Sequence, residues 1–233
     1  MATLSPAQQS RTLAEFKHLL ANEWTRPVAC QDHCHDVKGR CPDCQFVHVA
    51  ALEAWWKRKA SESTYQRKVD RLFDEMQLGE RGQLHSDPQR YSTACIRVLS
   101  LLLEHDLGHL IKRFYDSNMH DKYLQRGEGY RDLRLHLQKS VPPGEADHIL
   151  QIFHKARWAY CPLELYLHMD HNLQGTKVIL PFCRKVRLGE GGTASVYWVA
   201  VEKDLIRDDA LRSALKESLI VDHEFGEVSP CLP

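Results

Sequence analysis

The sequence has no stretch approaching the roughly 18 consecutive apolar residues that a membrane span requires. Its start, Met1-Ala2-Thr3-Leu4-Ser5-Pro6, has neither the basic cluster nor the apolar core of a secretory leader. Both absences predict an intracellular chain, cytoplasmic or nuclear, with no membrane partner. Charge of one sign is lacking as well, since 31 Lys plus Arg face 31 Asp plus Glu. With no basic excess gathered in any segment, nothing attracts a phosphate backbone, and nucleic acid is not an expected partner. There is no internal repeat and no low-complexity tract. Glycine is sparse at 12 residues, yet three of them fall between 189 and 192.

What is present is a globular composition. Hydrophobic residues make up 43% and charged residues 27% of 233 positions, enough for one or two domains with a buried core. Ser5-Pro6 is a cap-then-proline helix start, and Leu13, Phe16, Leu19, Leu20 and Trp24 fall on one helical face. A second pattern, from about Val47 to Leu78, predicts a helix or a helix pair ending at Gly79. Trp55 and Trp56 in it are read as packing anchors, with at most one exposed.

Asp87-Pro88 repeats the start signal ahead of the stripe Ile96, Leu99, Leu102 and Leu103. Asp106 is placed to cap a short helix facing inward through Leu107, Leu110, Ile111 and Phe114, and a further helix is expected between Glu145 and Trp158. Gly127 to Gly129 and Val141-Pro142-Pro143-Gly144 are breaks. Up to Tyr160 the expectation is all-α.

From Cys161-Pro162 the pattern changes. Leu163, Leu165 and Leu167 alternate with Glu164, Tyr166 and His168, which suits an extended segment. Strand-favouring runs follow at Val178-Ile179-Leu180, at Val186 and Leu188, and from Val196 to Val201. The expected fold is mainly α, a helical region over 1–170 followed over 171–233 by a short antiparallel β-sheet, with the boundary between His168 and Leu180.

The stretch Leu188-Gly189-Glu190-Gly191-Gly192-Thr193-Ala194-Ser195-Val196-Tyr197 lies between two strand-like runs. A dinucleotide or P-loop site needs a helix after the glycines, so a hairpin is predicted instead. Glycines there let backbone approach a polyphosphate without side-chain collision, and Leu188 and Val196 are read as an apolar clamp for a flat base. The bland alternative is a flexible hairpin with nothing bound.

This stretch resembles the glycine-rich loop of protein kinases. With Ile179-Leu180-Pro181-Phe182 before it and a helical region ahead, the chain is similar to a group of fungal serine/threonine kinases. Gly189, Gly191 and Val196 match G-x-G-x-x-G-x-V, while Ala194 holds the third glycine position. Ala214-Leu215-Lys216-Glu217 resembles the third-strand V-A-I-K, which makes Lys216 the phosphate-binding lysine and Ala214 a wall of the adenine pocket. The competing reading is a surface helix from Asp209 to Leu219 with Lys216 solvated. The resemblance implies a partial kinase N-lobe, an ATP site of Leu188, Gly189, Glu190, Gly191, Gly192, Val196, Ala214 and Lys216, and ATP with magnesium as cofactor. The alternative function is a non-catalytic helical module that recruits a protein partner and carries a degenerate kinase remnant.

No catalytic residue is assigned. Tyr130-Arg131-Asp132-Leu133 is similar to H-R-D-L but precedes the glycine loop and has Leu137 where asparagine is required. Glu224-Phe225-Gly226 is similar to D-F-G but follows Lys216 too closely for a second lobe to intervene.

Cys30, Cys34, Cys41 and Cys44, with His33, His35 and His48 nearby, form a second group. Four thiolates hold zinc tetrahedrally, and Cys41-Pro42-Asp43-Cys44 is read as a tight turn placing two sulfurs on one metal. The alternative is a loop between helices with reduced thiols and exposed histidines.

Phosphoryl transfer needs several groups acting together, so a glycine loop and one lysine are insufficient. The purified chain is expected to transfer no labelled phosphate from ATP to a generic protein substrate; incorporation above the enzyme-free blank overturns this.

Overall fold

The computed structural model describes residues 10–29, 40–61, 65–76, 91, 93–124, 130–168, 179, 182–190, 195–201 and 203–220. These are mainly helical, and the chain divides into two compact units: Met1–Trp24 with Val47–Cys161, and Thr25–Phe46 with Pro162–Pro233.

The first unit contains α1 (Arg11–Leu19), α2 (Val49–Lys57), α3 (Lys68–Met76), α4 (Ile96–Glu104), α5 (Ile111–Asp116), α6 (Tyr130–Gln138) and α7 (Glu145–Ala156). Ser5-Pro6 lies outside the described residues. Ser10 caps α1, its hydroxyl accepting from the Leu13 amide at 3.0 Å while donating to the Glu75 carboxylate. Burial pushes the Glu75 carboxyl up, but hydrogen bonds from Ser10, Arg71 and Thr12 outweigh it and hold the group below its ordinary value. The expected face of α1 is the one that packs, with Phe16, Leu20 and Trp24 buried and Leu13 and Leu19 against the core.

The pattern from Val47 resolves into the pair α2 and α3, and neither tryptophan is exposed. Trp55 packs edge-on against Trp56 with ring centroids 4.6 Å apart, and Phe16 lies 5.2 Å from Trp56. Trp56 Nε1 donates to Ser100 Oγ at 2.9 Å and Trp55 Nε1 to Glu15 at 3.1 Å, so both indole donors stay satisfied inside the packing.

Helix α4 is covered on all sides, not only along the expected stripe: Val98, Ser100 and Leu101 are buried together with Ile96, Leu99, Leu102 and Leu103. Such a helix cannot present its first free amides to water. Asp121, from the 3₁₀ turn Asp121–Tyr123, accepts from the Arg97 and Val98 amides, each at 3.0 Å. Downstream, Asp106 does not cap the next helix as expected. Its backbone is left-handed at φ 60, and its carboxylate accepts from Lys17 at 2.6 Å. Gly108 follows at a close approach, where a Cβ would meet Leu103 Cδ2 at 2.7 Å.

In the second unit, β1 (Thr25–Ala29) pairs with β2 (Arg40–Val47), and β3 (Phe182–Glu190) pairs antiparallel with β4 (Ser195–Val201); β1 runs beside β3. The all-α expectation up to Tyr160 is therefore corrected: residues 25–29 and 40–47 are strand. Pro27 and Pro42 bar a helix interior there, because each lacks an amide donor and clashes with the preceding turn. The extended segment around Leu165 is present, bridged in parallel to Ile206, and α8 (Asp209–Ile220) closes the described chain.

Burial pushes the Asp121 carboxyl up to about 6, against the hydrogen bonds it accepts. Because its folded value lies above the unfolded one, its contribution is fully present below about pH 4 and is lost as pH rises through about 6. Asp121→Ala strands the α4 amides and is expected to destabilise the protein by about 1–3 kcal/mol in urea unfolding. Asp121→Asn is expected to remove the loss of midpoint that the wild type shows between pH 4 and pH 7.

Candidate functional site

The glycine-rich stretch joins two strands: β3 ends at Glu190 and β4 begins at Ser195. Gly191 and Gly192 lie outside the described residues. The register sets Glu190 opposite Ser195, Gly189 opposite Val196 and Arg187 opposite Tyr197. Two residues of β3 thus span one step of β4, a bulge that leaves Leu188 as the extra residue between Arg187 and Gly189. Leu188 is 66% exposed at this position, free to meet something flat.

Gly189 is glycine without a steric reason in its surroundings. Among the described residues a Cβ built on it meets nothing within 4 Å, and its φ is not in the left-handed region. Glycine inside a strand weakens it, and one recurrent reason for keeping it there is the close approach of a ligand to the backbone.

Ala214 and Lys216 are corrected in their placement. They stand on helix α8, not on a third strand. From 209 to 219 the sequence contains no β-branched residue and is rich in Ala, Leu, Lys and Glu, all strong helix formers. Asp208 caps it, Oδ1 accepting from the amides of Ala210 at 2.8 Å and Leu211 at 3.2 Å. Local helix propensity, not the ordered match to a kinase strand, decides the structure of this segment.

Cys41 and Cys44 fall within β2, so an extended backbone replaces the tight turn expected of Cys41-Pro42-Asp43-Cys44. Cys30, Cys34, His33 and His35 lie outside the described residues. His48 has a structural task, its Nδ1 accepting from the Ala51 amide at 3.1 Å to cap α2. Among the described residues no group of three or more His, Cys, Asp or Glu is arranged to hold a metal ion. Tyr130-Arg131-Asp132-Leu133 opens α6, where Leu133 and Leu137 are buried in the core, so this stretch serves packing. Glu224-Phe225-Gly226 lies outside the described residues.

A polar cleft of about 190 Å³ in the first unit is lined by Arg11, Glu15, Lys68 and Arg71 among others. Its cations are mostly matched internally, Lys68 by Glu15 and Arg71 by Glu75 at 2.6 Å. Burial raises the Glu15 carboxyl, but Lys68 and the Trp55 indole more than reverse this. Such a cleft has little field left for an anion.

No protein-family model, no curated protein and no solved structure matches the chain. Among the described residues no helix is long and apolar enough to cross a membrane.

The Leu211 amide, followed by burial acting the other way and then the amides of Ala210 and Leu167, leaves the Asp208 carboxyl below its ordinary value. Its capping is thus present above the unfolded carboxylate range and is lost as pH falls through the lowered value. Asp208→Ala is expected to speed hydrogen exchange at the Ala210 and Leu211 amides while leaving the α4 amides unchanged; equal protection in both proteins refutes the cap.

Proposed function

We propose that residues 182–201 are the nucleotide-facing hairpin of a partial protein-kinase N-lobe, attached to a helical region, and that the chain takes ATP with magnesium there only weakly. Gly189 carries the reading: a glycine within a strand, beside an exposed leucine, with no described residue where its side chain would be. Backbone left bare in this way admits phosphate oxygens to the amides of the adjoining turn, while Leu188 offers an apolar edge to a base. Leu188, Gly189, Glu190, Gly191, Gly192 and Val196 are the residues on which the proposal rests. In protein kinases such a hairpin works with a second lobe, and phosphate passes from ATP to the substrate protein.

A second reading, a helical protein-interaction module with a degenerate kinase remnant, is favoured by one observation: Lys216 belongs to a helix. A lysine on α8 must reach the phosphates from a different direction than one on a neighbouring strand.

Two measurements separate these readings. Titration with magnesium-ATP is expected to give a dissociation constant on the order of 1 mM, because a hairpin alone offers few contacts to a nucleotide. Gly189→Val is expected to weaken this by about tenfold or more while leaving the urea midpoint equal or higher, since a branched residue suits an exposed strand. Unchanged affinity in that variant removes the hairpin from nucleotide binding. Protection of Lys216 from acylation by magnesium-ATP supports the kinase-type reading; unchanged labelling supports the interaction module.

A further inference from the structure

The chain between α2 and α3 turns back on itself. Lys59 and Arg67 form an antiparallel bridge, the Ala60 amide donates to the Gln66 carbonyl at 2.7 Å, and the Lys68 amide donates to the Arg58 carbonyl at 2.9 Å. The described residues at the tip of this turn are Ser61, half-buried, and Tyr65, 94% exposed. Residues 62–64 lie outside the described residues. A tip held by one isolated bridge opens at little free-energy cost, so it can take the extended form that a modifying enzyme needs.

The sequence ahead of the tip is basic, Lys57-Arg58-Lys59-Ala60-Ser61, and Lys57, Arg58 and Lys59 are all exposed. Arg58 and Lys59 stand three and two positions before the serine. A kinase with an acidic substrate groove selects a serine by cations placed in this way, because complementary charge draws the right substrate in and keeps others out.

Ser61 also borders the polar cleft of the first unit, together with Arg11, Thr12, Glu15, Lys68 and Arg71. Among the described residues three cations and one carboxylate line that cleft. Lys68 pairs with Glu15, Arg11 acts on the same carboxylate, and Arg71 meets Glu75 through Nε at 2.6 Å. An ammonium carries three N–H donors and a guanidinium five, so each cation has capacity beyond one carboxylate. For a free anion the attraction left over is small. A phosphate carried by Ser61 differs, since it brings a charge of about −1.5 to −2 and is already tethered at the cleft, where seating costs little further freedom. The cleft's volume of about 190 Å³ is several times the share of one water in the liquid, about 30 Å³, and so has room for a phosphate group.

We propose that Ser61 accepts a phosphate from a separate serine kinase that prefers basic substrates, and that this phosphate seats in the cleft against Arg11, Lys68 and Arg71. The γ-phosphoryl group of ATP passes to the Ser61 hydroxyl. The Oγ–P bond forms, the bond from that phosphorus to the β,γ-bridging oxygen breaks, ADP leaves, and the hydroxyl proton goes to a carboxylate of the kinase. Once seated, the phosphate joins the α2–α3 connection to α1 through Arg11 and to α3 through Lys68 and Arg71. The β3–β4 hairpin takes no part in this.

The test treats the full chain with the catalytic subunit of cyclic-AMP-dependent protein kinase and magnesium-ATP, a probe that takes serines preceded by basic residues. Phosphopeptide mapping is expected to place the phosphate on Ser61. Ser61→Ala is expected to lose it, and Arg58→Ala to slow incorporation about tenfold or more. Phosphorus nuclear magnetic resonance then follows the phosphate on Ser61 through its second ionisation. Beside three cations it is expected to lose that proton at a pH about 0.5 unit or more below the value for the same protein unfolded in urea. Arg11→Gln, at an exposed position, is expected to move the ionisation back toward the unfolded value. Phosphate on a different residue of the tip, or none at all, overturns Ser61 as the acceptor. A second ionisation that is equal in the folded and unfolded proteins, or that Arg11→Gln leaves unmoved, overturns the seat in the cleft.

Discussion

A helix buried on every side has nowhere to send its unpaired amides, and the organisation of the first unit follows from how α4 meets that constraint. Asp121 arrives from a turn 23 to 24 residues away in sequence to accept from Arg97 and Val98. Placing it there requires the chain to double back through α5 and the left-handed Asn118 before the turn at Asp121. Ser100 sits in the same helix as a buried hydroxyl, donating to the Ile96 carbonyl at 2.7 Å and accepting from Trp56. The second of these contacts ties α4 to α2 by a hydrogen bond inside an otherwise apolar packing, where an unpaired group would be costly.

Charge in this unit is handled in two ways. Near the surface, carboxylates and cations meet directly, as in Lys17 with Asp106 and Arg67 with Asp70, and such pairs contribute little individually. In the interior, Asp121 is compensated by backbone amides, whereas Arg157 is met by one carbonyl and two aromatic rings. The contrast is physical: the carboxylate has the start of a helix to neutralise it, and the guanidinium has, among the described residues, a carbonyl dipole and two ring faces.

The hairpin of the second unit shows the opposite economy. Its informative residues face outward, Leu188 exposed and Gly189 open to solvent, where neither helps to fold the chain. Residues kept against the preference of their local structure are the ones to suspect of binding. Lys216 behaves differently, because it follows local propensity into a helix.

The helix faces are legible in the chain alone, since a period of 3.6 or 2 is a local property read from neighbours in the chain. Phe16, Leu20 and Trp24, the α2–α3 pair, the stripe of α4 and the two strands flanking the glycines all carry that imprint. Only the tertiary structure decided the rest. Residues 25–29 and 40–47 pair as strands by hydrogen bonds across a gap in sequence, which no local period records. At Lys216 the reverse holds: the local signal is for helix, and helix is what forms, against the strand that a motif match implies. The burial of Arg157 between Tyr130 and Trp158 arises from packing between separate elements, which composition or spacing cannot express.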